Sequence, residues 1–67
     1  MLYGLAVSMT WWYEIRDSKN RLVEIRQGFP TEVEARDRGE FARRTIQDIS
    51  PSRVLTVLTR ESVWRAE

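Results

Sequence analysis

The chain has no cysteine and no histidine. The first absence removes disulfides, thiolate metal ligands and a thiol nucleophile; the second removes the commonest general base and the commonest zinc ligand. Catalysis would have to rest on carboxylates, serines, tyrosines or a lysine, and no catalytic residue, cofactor or metal ligand is assigned. Glycine is scarce as well: Gly4, Gly28 and Gly39 are scattered, so no loop can cradle a phosphate. An excess of one charge sign is also missing. Eleven basic against ten acidic residues leave a net charge of +1, too little for a bulk pull toward nucleic acid or anionic lipid.

Long apolar runs are missing too. The stretch Met1-Leu2-Tyr3-Gly4-Leu5-Ala6-Val7-Ser8 has no basic leader and falls far short of the roughly 20 residues that cross a bilayer. It is expected to be neither a signal nor an anchor, but an N-terminal extension (residues 1–8) to a single domain over residues 9–67. No membrane partner and no small-molecule ligand is expected, and the lack of cysteine fits the reducing cytoplasm.

What is present describes a small folded domain. Hydrophobic residues at 42% and charged residues at 31% are too apolar for a disordered tail and too charged for a membrane protein. A domain of 67 residues buries only about 60% of the surface its unfolded chain exposes, so stability is thin.

From residue 11 the pattern alternates, with Trp11, Tyr13 and Ile15 on one face and Trp12, Glu14 and Arg16 on the other. Asp17-Ser18-Lys19-Asn20 carries turn chemistry; it lacks the glycine and distal glutamate of a calcium loop. Pairing Asp17 with Arg21 sets Ile15 opposite Val23, Tyr13 opposite Ile25, Trp12 opposite Arg26 and Glu14 opposite Glu24. The two glutamates then read as solvated carboxylates relieved by diagonal Arg16 and Arg26, and are assigned no function.

Gly28 and Pro30 end the second strand, and Thr31 with Glu34 forms a capping box that starts a helix. Ala35, Gly39, Ala42, Ile46 and Ile49 recur at helical spacing as a narrow stripe of mostly small residues. Glu32–Arg36, Glu34–Arg38 and Glu40–Arg44 are four apart, as on a solvated face. Ser50-Pro51 stops the helix, and Val54–Thr59 reads as a third strand rich in β-branched residues. The fold class is therefore α+β: ββαβ, a three-stranded antiparallel sheet in order 2-1-3 with one helix on one face, the crossover returning strand three parallel to strand two.

The aromatic first strand, the polar turn and Gly28-Phe29-x-Thr31-x-x-Glu34-Ala35 resemble, over residues 11–44, the arm-type sheet DNA-binding domains at the N-termini of tyrosine recombinases and, more distantly, the plant ethylene-response-factor domains. The resemblance implies an open sheet face entering the major groove, with Trp12, Arg16, Arg21 and Arg26 in contact. Strand two departs from that family's basic pattern, reading Leu22-Val23-Glu24-Ile25-Arg26, with Glu14 and Glu24 on the DNA face.

If Tyr13, Ile15, Val23 and Ile25 face the helix, then Trp12, Leu22 and two of Val54, Leu55, Val57 and Leu58 face away as an exposed apolar patch, flanked by Phe41. Its candidate coverings are the Leu2–Val7 segment, the Val63-Trp64 segment or another chain. The expected function is a non-enzymatic, cytoplasmic protein-interaction or regulatory module that binds a protein partner or itself through Trp12, Arg16, Leu22, Arg26 and Phe41; the alternative is DNA binding of the arm type.

Overall fold

A computed structural model describes residues 9–62. The element order is β1 (Trp11–Asp17), β2 (Leu22–Phe29), α1 (Glu32–Ile49) and β3 (Leu55–Glu61). The sheet has the order β2-β1-β3, with β1 antiparallel to both neighbours. This is the ββαβ arrangement expected from the periodicity. The leading segment 1–8 and Val63-Trp64, two candidate coverings of the sheet, lie outside the described residues.

Local chemistry makes the hairpin. The Asp17 carboxylate accepts from the backbone amides of Lys19 and Arg21, each at 2.9 Å, and Asn20 closes the turn at φ 62°, a left-handed conformation that asparagine tolerates well. Backbone pairing of Asp17 with Arg21 follows at 3.0 Å.

Beyond Arg16↔Leu22 the expected register fails. Ile15 pairs with Glu24, Tyr13 with Arg26, Glu14 with Ile25 and Trp12 with Gln27, before a second shift brings Trp11 to Phe29. Two β-bulges are the cause: Val23 and Gly28 are extra residues on β2, and Gly28 holds φ 95°, which a residue with a Cβ rarely adopts. Three expectations are corrected by this slip. Ile25 is not in the core but on the outer face, 48% exposed; Arg26 does not oppose Trp12; Glu14 and Glu24 are not a pair. The slip is compensated on the helix side, where the Tyr13 hydroxyl donates to Glu24 at 2.5 Å and the Phe29 ring lies 5.9 Å from that of Tyr13.

The helix starts where its cap dictates. Thr31 is extended and its hydroxyl accepts from the Glu34 amide at 3.2 Å; no bond returns from the Glu34 carboxylate among the described residues. Thr31→Ala should cost about 1 kcal/mol, read as a lower urea midpoint; an unchanged midpoint would place the helix start elsewhere. At the other end the Ser50 amide bonds Ile46 at 2.9 Å and Pro51 follows.

The core joins Tyr13, Ile15, Leu55 and Val57 of the sheet to the small-residue face of α1, with Val23, Phe29, Ala42 and Ile46 packed around them. Ala35 and Gly39 are buried, but Ile49 is 79% exposed, against the expectation that it ends the buried stripe. Length explains it: 18 residues make about 27 Å of helix, whereas the 7 residues of β1 or β3 make about 23 Å of strand. The last turn overruns the sheet. Of the expected ion pairs, Glu32–Arg36 forms at 3.2 Å, while Glu40 pairs with Arg43 at 2.7 Å instead of Arg44.

Candidate interaction surface

The face of the sheet away from α1 is organised around one carboxylate. Glu14, at the middle of the central strand, has Ile25 as its partner on β2 and Leu58 on β3, and is only 6% exposed although no element covers this face among the described residues. Alternation puts Trp12 and Arg16 on the same face of β1, and antiparallel pairing puts Arg60 opposite Trp12. All three reach Glu14. Oε2 accepts from Trp12 Nε1 and Arg60 Nε, both at 3.0 Å; Oε1 accepts from Arg16 Nε at 3.0 Å and Nη2 at 2.9 Å. Arg16 Nη1 also donates to the Asn20 carbonyl at 3.0 Å, tying the cluster to the hairpin turn.

Four donors fill the positions at which a carboxylate accepts, so Glu14 has no lone pair left for a cation or a proton transfer. Its pKa is held below the usual carboxylate value first by the Trp12 indole bond and then by Arg16 and Arg60, which together outweigh the opposing effect of burial. A depressed folded pKa means that this contribution to stability is present above the unfolded value, about 4.3, and is lost as pH falls through the folded one. Glu14→Gln should therefore cost about 1–3 kcal/mol at neutral pH and much less in acid. Urea midpoints of both proteins across pH check this. Some acid slope remains in the variant because Asp17, bonded by the Arg21 amide, and Glu32, bonded by the Thr59 hydroxyl, are also held low. A variant equally weakened at every pH would contradict the assignment.

Around this cluster stand Leu22 and Ile25 of β2, each 48% exposed, and half-buried Trp12 and Leu58. Of the residues singled out by sequence, Trp12, Arg16 and Leu22 are thus brought together here. Arg26 is not: as the partner of Tyr13 it belongs to the helix side. Phe41 is on α1, 63% exposed, and flanks the cleft between α1 and β2 instead of the outer patch. Of the strand-three candidates, Leu55 and Val57 are core, Leu58 is outward, and Val54 precedes the strand.

Leu58 completes the face as one of the four strand-three candidates, together with Glu14, Ile25 and Arg60, which the sequence did not single out as contact residues. The signal for Arg60 was the continuation of period-2 alternation past Thr59; Ile25 had none, because its orientation depends on a bulge.

Among the described residues no three histidine, cysteine, aspartate or glutamate side chains are placed to hold a metal ion, and no helix is long and apolar enough to cross a membrane. No family model, curated protein or solved structure shows significant similarity to the chain.

Proposed function

We propose that the domain is a non-enzymatic cytoplasmic interaction module that binds a protein partner, or a second copy of itself, through the outer face of its sheet. The observation that carries this reading is the pairing of two features: a ring of partly exposed Trp12, Leu22, Ile25 and Leu58, and at its centre a carboxylate already satisfied by Trp12, Arg16 and Arg60. An interface needs an apolar centre without unpaired charge, and this face carries its charges pre-paired. Trp12 supplies a large aromatic anchor whose polar end is already bonded.

Sheet-mediated DNA binding draws less support. Arg26, one of the arginines that reading assigns to the groove, faces the helix side, and Arg16 and Arg60 on the open face are both engaged by Glu14. Phosphate neutralisation needs cations free to meet phosphates.

The test is the mass in solution across concentration, with and without mixed-sequence duplex or cell-derived protein, at low and high salt. Association that survives high salt, and is weakened about tenfold or more by Trp12→Ser or Ile25→Glu, is the expected result. Duplex binding that falls steeply with salt and is lost with Arg16→Glu or Arg60→Glu would replace this reading with the DNA one.

A further inference from the structure

Independently of the outer face, the helix side holds a second site. Helix α1 packs mainly over β1 and β3 and touches β2 least. A cleft of about 230 Å³ is left under β2, the edge strand, with Ala42 and Ile46 among its lining residues and Phe29 and Phe41 beside them. Arg26 from β2 and Arg38 from α1 also line it, and neither forms an ion pair among the described residues, where five other arginines do. Glu24 is the one acidic group there, and its carboxylate accepts the Tyr13 hydroxyl at 2.5 Å. Two guanidiniums against one carboxylate leave a single positive charge beside an apolar lining.

We propose that this cleft takes the C-terminal residue of a peptide, with an apolar or aromatic side chain seated against Ala42 and Ile46 and its α-carboxylate met by Arg26 and Arg38. Charge complementarity selects one anion, since a single carboxylate brings the cleft to neutrality. Size selects one residue: about 230 Å³ is below the roughly 300–1,000 Å³ of sites that enclose whole small molecules. A peptide is favoured over a free acid because the cleft adjoins the edge of the sheet, which no strand pairs among the described residues, so that the residues preceding the terminus can add to β2 between its two bulges, over Glu24–Gln27. The Tyr13 phenol, pushed up to about 12 by burial and its bond to Glu24, stays neutral and adds no repulsion.

The test uses the full chain, isotope-labelled, titrated to ~5 mM with acetyl-Val-Thr-Val-Phe bearing a free carboxylate, with its C-terminal amide, and with N-acetyl-phenylalanine. The free-carboxylate peptide is expected to shift the amides of Glu24, Arg26, Arg38 and Phe41 while leaving the Trp12 indole unmoved. The amide, and the Arg26→Gln/Arg38→Gln variant checked for its fold by circular dichroism, should each bind about tenfold more weakly or worse. Equal binding of acid and amide, equal binding of N-acetyl-phenylalanine and the peptide, shifts confined to the outer face, or no shifts at all would each overturn the proposal. The outer-face reading would stand in any of those cases, since it is tested by Trp12→Ser.

Discussion

Gly39→Ala lowers the stability of this domain even though alanine is the better helix former. A Cβ at this position would stand 2.7 Å from Val57 Cγ1 and 3.0 Å from Tyr13 Cγ. Neither neighbour gives way cheaply: valine is stiff at χ1, and the Tyr13 ring is held by Glu24 and Phe29. Alanine gains about 1 kcal/mol of helix propensity, while forcing extra volume into a packed interface costs about 1–3 kcal/mol. The balance is a net loss for alanine. Gly39→Leu should leave little folded protein, because the whole domain has only about 3–10 kcal/mol to lose at the usual stability per residue. Urea midpoints measure both, and a rise in midpoint with Gly39→Ala would show that the helix rides higher on the sheet than described.

The second large effect is at Ile15, which is fully buried on the helix side of β1. Ile15→Ala should cost about 2–5 kcal/mol and can unfold so small a domain. Ile25→Ala, a change of the same kind on the neighbouring strand, should cost far less because Ile25 is 48% exposed. The contrast depends on the register. In the unbulged pairing Ile25 stands in the core beside Tyr13, and the two substitutions would be comparably damaging.

The fold class was readable because its signals are local: the carboxylate and Asn20 that close the hairpin, Thr31 at the helix start, Pro51 at its end, and the small residues of α1. Each acts over a few residues and leaves a mark in composition or spacing. The register was not readable beyond the turn. Aligning the aliphatic residues of the two strands gathers the β-formers on one face only along an unbroken ladder. In sequence Gly28 reads as the end of a strand; at φ 95° it is a bulge within one, and Val23 supplies the other. The Val23 insertion turns Ile25 out and Arg26 in, and the Gly28 insertion then brings Phe29 opposite Trp11. As a result, one candidate contact residue lies on the opposite side. Glu14, expected to be solvated, is buried for a separate reason: Trp12 and Arg16 of β1 and Arg60 of β3 close over it.

The place of Ile25 on the outer face and of Arg26 in the cleft therefore follows from the Val23 bulge, and the cross-strand backbone contacts between β1 and β2 in solution test it most directly. Through-space proton contacts observed by NMR should connect Tyr13 with Arg26 and Glu14 with Ile25. Contacts connecting Tyr13 with Ile25 and Ile15 with Val23 would mean an unbulged ladder, which takes Ile25 from the outer face and Arg26 from the cleft and contradicts the account.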